Sequence, residues 1–146
     1  MLHLREPALS LMLLLLVVSL IAAGCAPAPA APAPAANAPA AVMPAEISVA
    51  EAAAKRDAGA FVLDVRQPDE WNEAHIPGAT LIPLDQLEAR LNEVPRDKEV
   101  VVVCRSGNRS KAGRDILKNA GFPQVTSMSG GLTQWKAAGY PTATGP

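Results

Sequence analysis

The chain has 146 residues, the length of one ordinary domain, and 13 basic against 14 acidic residues leave a net charge of −1. Near-zero charge and 3% aromatic content make nucleic acid a poor partner. One of the two cysteines, Cys25, lies close to the N-terminus, so the remaining chain holds Cys104 alone. That excludes an internal disulfide and a two-cysteine redox cycle there.

The first residues carry His3 and Arg5, a short basic start, and residues 8–23 are almost purely apolar. Small residues close the run, which predicts a secretory signal peptide over residues 1–24. The run is short for a membrane span of ~20 residues, although an uncleaved anchor is an alternative. The string Ile21-Ala22-Ala23-Gly24-Cys25 resembles a bacterial lipobox, with Ala22 where that motif prefers Leu. The resemblance implies lipid on Cys25; the rival is cleavage after an Ala that leaves Cys25 a free thiol. Acyl chains contribute ~0.8 kcal/mol per buried methylene, so a multiply acylated terminus would hold the chain on a bilayer. The expected location is therefore outside the cytoplasm, in a bacterial periplasm or at the cell surface.

Residues 25–45 are Ala and Pro with little else, apart from Cys25 itself. Recurrent Pro removes backbone donors and forbids a continuous helix, so the segment reads as an extended spacer or a plain disordered tail. The folded part is expected over residues 46–146.

Within it, Ser48 and Glu51 form a capping-box pattern opening a helix that ends near Gly59. Residues 61–65 form a bounded apolar run, expected to be a buried strand, and residues 69–74 a short helix. Residues 79–82 suggest a brief strand. Asp85 and Glu88 repeat the capping pattern before a helix that puts Leu84, Leu87 and Leu91 on one face, with Pro95 as its stop. Four consecutive valines at 100–103 predict a strand buried on both faces, as at the centre of a parallel sheet. A loop over 104–109, a helix over 110–120, a strand over 125–128 and a helix over 132–138 complete the order. Such alternation predicts an α/β fold: a mostly parallel sheet of about five strands with helices on both faces.

Charge is uneven along this part. Residues 46–99 hold 12 acidic and 6 basic side chains, whereas residues 100–146 hold 6 basic side chains and only Asp115. Arg105, Arg109, Lys111, Arg114 and Lys118 all fall in or just after the Cys104 loop, which predicts a positive local field and a small anionic substrate.

Cys104 is expected where the central strand ends and a helix begins, the usual place for ligand sites in open α/β sheets. A helix N-terminus presents free N–H groups and a partial positive charge. With Arg105 and Arg109 alongside, the thiol pKa should fall below its free value of ~8.5. Gly107 permits a curl in which successive backbone N–H groups face inward as an anion nest. Such a thiolate is built to attack and to stabilise an anionic sulfur species. The bland alternative is a buried Cys serving as a small apolar residue.

The strings Asp64-Val65-Arg66, Glu70-Trp71, His75-Ile76-Pro77-Gly78-Ala79, Cys104-Arg105-Ser106-Gly107-Asn108-Arg109-Ser110 and Gly130-Gly131 with Trp135 and Gly139-Tyr140-Pro141 resemble a single-domain rhodanese. The resemblance covers nearly all of residues 46–141. It implies a rhodanese-like fold and a sulfurtransferase in which Cys104 takes sulfane sulfur from a donor such as thiosulfate and passes it to cyanide or a thiol. The loop residues Arg105, Ser106, Gly107, Asn108 and Arg109 would bind the persulfide and the donor, with Asp64 and Arg66 bracing the sheet edge beside them, as a structural ion pair in the preferred reading. No cofactor or metal is implied, and a monomer is expected. His75 invites a role as general base, but an ionised thiolate needs none, so it reads as structural. Trp71 and Trp135 read as core and pocket wall.

Two rivals bear on the same loop. Cysteine phosphatases and arsenate reductases of related fold need an Arg after five intervening residues beyond the Cys; that place holds Ser110, with Arg109 one position early, and Val103 precedes Cys104 where the phosphatase signature has His. The other rival is a module that carries sulfur for one partner without turnover.

Overall fold

The computed structural model describes residues 43–146; Cys25, the leader and most of the Ala/Pro segment lie outside the described residues. Five strands, β1 (Glu46–Ile47), β2 (Phe61–Asp64), β3 (Thr80–Leu81), β4 (Val100–Val103) and β5 (Val125–Met128), form one sheet of order β1-β5-β4-β2-β3. All four pairings are parallel, with Asp64 opposite Val103 and Val102 opposite Ser127. The expected α/β architecture is observed. Strand β1 was not anticipated. Two residues are too short for a periodic signal, and the edge pairing is held by the N–H of Ser127 donating to Ala45 and that of Ser129 to Ile47.

The valines of β4 alternate between two cores. Val101 and Val103 join Ile47, Val62, Met128 and Trp135 on one face, under α1 (Val49–Asp57) and α4 (Gly131–Ala137). Val100, Val102 and Cys104 join Leu63, Val65 and Leu117 on the other, under α3 (Asn108–Asn119). Burying each valine side chain contributes ~1.5–3 kcal/mol relative to exposure, so this run anchors both faces at once. Helix α3 comes close to the sheet through Gly113, where a Cβ would stand 3.1 Å from Val102 and 3.2 Å from Val65.

The Ser48 capping box closes as expected. Ser48 Oγ accepts from the Glu51 N–H at 3.2 Å, and Glu51 Oε2 accepts from the Ser48 N–H at 2.8 Å. The short helix α2 runs Pro68–Glu73, with Pro in the first turn, where a missing N–H costs nothing. The second capping pattern does not form an α-helix. Residues Leu84–Gln86 and Glu88–Glu93 are two 3₁₀ turns joined at Leu87, with Arg90 outside helical geometry at φ −116°. Three residues per turn stacks Leu84 on Leu87, and the kink at Arg90 returns Leu91 to the same core. The Asp85 carboxylate accepts from Gln67 Nε2 at 3.3 Å and caps no helix. Among the described residues, no helix is long and apolar enough to cross a membrane.

A cysteine cradle at the carboxyl end of the sheet

Cys104 follows β4 directly, and α3 begins at Asn108, two residues earlier than expected. Asn108 and Arg109 therefore belong to the first helical turn, and the loop proper is only Cys104 to Gly107. Gly107 makes this short crossing possible: at φ +102° it occupies the left-handed region open to glycine. Its N–H then donates to Cys104 Sγ at 3.1 Å.

Behind the sulfur stands a buried hydroxyl pair. Ser110 Oγ lies 3.7 Å from Sγ, donates to the Gly107 carbonyl at 2.8 Å, and shares a 2.9 Å hydrogen bond with Ser127 Oγ. Ser110 and Ser127 are both 0% exposed, and Cys104 is 1% exposed. Burial pushes the Cys104 thiol up, but the N–H and hydroxyl of Ser110 and the N–H groups of Gly107 and Ser106 outweigh it, leaving the pKa below its ordinary value. The groups that lower it are the backbone N–H groups that the sequence pointed to, together with the Ser110 hydroxyl, which it did not.

The loop is held from outside by α4. The N–H of Leu132 donates to the Cys104 carbonyl at 2.8 Å, and that of Thr133 to the Arg105 carbonyl at 3.0 Å. Thr133 Oγ1 adds a 2.9 Å bond to the same Arg105 oxygen. These bonds fix the two peptide units that precede Gly107, whose N–H is the one on the sulfur. Contact is so close at Gly131 (φ +55°) that a Cβ would fall 2.4 Å from the Cys104 oxygen.

Arg109 reaches away from the loop. Its two terminal nitrogens each donate to a Glu70 oxygen at 2.7 Å, a bidentate pair across to α2. Arg105 is exposed and, among the described residues, makes no ion pair. Ser106 and Asn108 are also exposed and border an open hollow with Arg105 and Arg109. The expected positive field is largely cancelled: Arg109 faces Glu70, Lys111 faces Glu46 at 3.0 Å, and Arg114 faces Asp115 at 2.7 Å.

Asp64 and Arg66 form a buried ion pair, 0% and 3% exposed, with contacts of 2.7 to 3.0 Å. Arg66 also donates to the carbonyls of Glu70 at 3.0 Å and Ala74 at 2.7 Å, which ties the carboxyl end of β2 to α2. Because β3 lies outside β2, the pair braces an interior strand and not the sheet edge. His75 stacks on Trp71 with ring centres 3.7 Å apart, and its Nδ1 lies 3.1 Å from the Trp71 carbonyl. Trp135 is core, its Nε1 donating to Pro141 at 2.9 Å, and does not line the clefts beside the loop.

Sequence reasoning missed Glu70 as the holder of Arg109, Ser127 behind Ser110, and the hold of Leu132 and Thr133 on the loop. Glu70 and the Gly130-Gly131 pair stood in the strings that carry the family resemblance, but nothing in them pointed to these contacts. Among the described residues no cluster of three or more His, Cys, Asp or Glu side chains could hold a metal ion.

A rhodanese-like domain family matches residues 48–138. The thiosulfate sulfurtransferase GlpE of Pseudomonas syringae is 36% identical over 93 residues, spanning 64% of this chain and 87% of that protein. The putative sulfur carrier protein YrkF of Bacillus subtilis is 38% identical over 79 residues, spanning 54% of this chain but only 43% of YrkF. Among solved structures, a rhodanese-related protein from Thermoplasma volcanium superposes with a TM-score of 0.63 at 33% identity, covering 67% of this chain and 96% of that one.

Proposed function

Because this chain belongs to the rhodanese-like domain family, we propose that it is a sulfurtransferase that moves sulfane sulfur through a persulfide on Cys104. The observation that carries this reading is the Gly107 N–H on Sγ at 3.1 Å, in a loop whose carbonyls are tied outward by α4. In the first step the Cys104 thiolate attacks the outer sulfur of an anionic donor such as thiosulfate. The sulfur–sulfur bond of the donor breaks, and sulfite leaves with the electron pair. In the second step cyanide or an acceptor thiolate attacks the outer sulfur of the persulfide, and the pair returns to Cys104 as thiolate. Neither step requires a general base or a cofactor. Arg105 is the cation available to meet the donor, with Ser106, Gly107, Asn108 and Arg109 forming the rest of the binding loop.

Intact-mass measurement of the full chain after exposure to thiosulfate tests this. Wild type gains one sulfur atom and Cys104→Ser gains none; an unchanged wild-type mass overturns the reading. A second reading, a carrier serving one partner, draws on the printed name of YrkF. Sulfur uptake in one turnover without steady-state thiosulfate:cyanide activity favours the carrier.

We further propose that the chain is exported and held on a membrane by lipid on Cys25, outside the described residues. The support is the apolar run over residues 8–23 and the Ala-Ala-Gly-Cys string ending at Cys25. Labelling with a radioactive fatty acid tags wild type and not Cys25→Ser; unlabelled wild type overturns lipidation and leaves export standing.

A further inference from the structure

Beside the Cys104 loop lies an open cleft of about 450 Å³, between α2 on one side and Arg105 with α4 on the other. Its size suits an amino acid or a small peptide. Two of its charged residues already have partners: Arg66 is held by Asp64, and Glu70 by Arg109. Four others do not. Asp69 and Glu73 are exposed on α2, four residues apart and so on one helix face. Arg105 and Lys136 are exposed on the opposite wall. Among the described residues no ion pair links any of these four.

A cleft with two unpaired carboxylates on one wall and two unpaired cations on the other is poorly matched to a simple anion. Thiosulfate or cyanide can use the cationic wall and is repelled by the other. A molecule bearing both an ammonium and a carboxylate engages both walls at once, and a thiol on such a molecule would stand beside the loop that holds the sulfur.

Resting on the sulfur-transfer reading above, we propose that the acceptor is a zwitterionic thiol of amino-acid type, bound with its ammonium toward Asp69 and Glu73 and its carboxylate toward Arg105 and Lys136. The acceptor thiol first loses its proton to solvent. Its thiolate then attacks the outer sulfur of the Cys104 persulfide; one sulfur–sulfur bond forms and one breaks. Cys104 is reduced to thiolate as the acceptor sulfur is oxidised to a persulfide, so no outside oxidant enters.

The full chain is first loaded with thiosulfate, and the added sulfur is read on Cys104 by mass. Failure at this stage overturns the sulfur-transfer reading itself. Loaded protein is then mixed with cysteine, cysteamine, mercaptopropionate or mercaptoethanol at matched thiolate concentration, and loss of the added sulfur is timed. Exposed charge pairs are individually weak, so two acting together should make cysteine about tenfold faster than the other three. That preference should fall several-fold in both Glu73→Gln and Lys136→Met. Equal rates for the four thiols, a preference that follows one charge alone, or a cysteine preference untouched by both substitutions overturns the zwitterion proposal and leaves the Cys104 persulfide standing.

Discussion

Arg109 and Glu70 meet through two parallel hydrogen bonds of 2.7 Å, joining the first turn of the helix behind Cys104 to the short helix across the cleft. The two residues are 39 positions apart in the chain. Neither end of this clamp is fully buried, with side chains 34% and 21% exposed. It therefore sets geometry at the mouth of the site more than it adds stability.

The clamp predicts a specific response to acid. Arg109 holds the Glu70 carboxyl down to about 2, against the opposing effect of burial. A carboxylate with a depressed folded-state pKa contributes stability above its unfolded value of ~4.3 and loses it as pH falls toward the folded value. For a pair this open to water the contribution is about 1 kcal/mol. Glu70→Gln should thus be about 1 kcal/mol less stable than wild type near neutral pH, with the difference closing as pH drops toward about 2. Urea unfolding of both proteins across that window measures it.

Cys104 should alkylate as a thiolate with a midpoint below the ~8.5 of a free thiol, because the N–H and hydroxyl groups around Sγ outweigh its burial. Ser110→Ala removes the hydroxyl that lies beside Sγ and holds the Gly107 carbonyl, and leaves the Ser127 hydroxyl without its partner. The alkylation midpoint should rise. A rate-against-pH profile with an iodoacetamide-type reagent reads both values, and an unchanged midpoint would remove Ser110 from the cradle.

Gly131 and Gly139 separate close contact from conformational preference. Both have positive φ, at +55° and +78°, yet a Cβ on Gly139 meets nothing within 4 Å, while one on Gly131 meets Cys104 and Arg105 backbone atoms at 2.4 to 2.7 Å. Gly139→Ala should cost ~1 kcal/mol from the left-handed backbone alone and leave thiol reactivity intact. Gly131→Ala should cost more, about 2–4 kcal/mol by order of magnitude, and slow Cys104 alkylation by pushing the loop from its helix. Thermal unfolding and alkylation rates compare the two.

Asp64 and Arg66 are buried so deeply that removing one partner strands the other's charge. Arg66→Met leaves the Asp64 carboxylate in a dry environment and also frees the carbonyls of Glu70 and Ala74. A loss of about 3–5 kcal/mol is expected. Chemical denaturation checks it; a loss near zero would mean that water reaches the pair.

Several features were legible because their causes are local. The valine run at 100–103 announces a strand buried on two faces, and Ser48 with Glu51 announces a cap, since each depends on neighbours within one turn or one strand. The capping pattern at Asp85 and Glu88 failed for a non-local reason: Leu84, Leu87 and Leu91 pack into the core under α3, and 3₁₀ turns with a kink deliver them there. The helix over 110–120 was placed two residues late because Gly107, read as a loop residue, is its N-terminal cap.

The strand, the curl at Gly107 and the helix after it follow from short-range sterics, so the sequence alone placed Cys104 at the carboxyl end of a central parallel strand. It could not rank the groups that tune that thiol. The basic stretch after Cys104 suggested a cationic field, yet folding sets Glu70 against Arg109 and Glu46 against Lys111, while Arg114 pairs with its neighbour Asp115. The depression of the thiol pKa falls mainly to N–H and hydroxyl groups. Which charge meets which, and which helix presses on the loop, depends on the approach of distant segments across the sheet. Only the tertiary structure decides that.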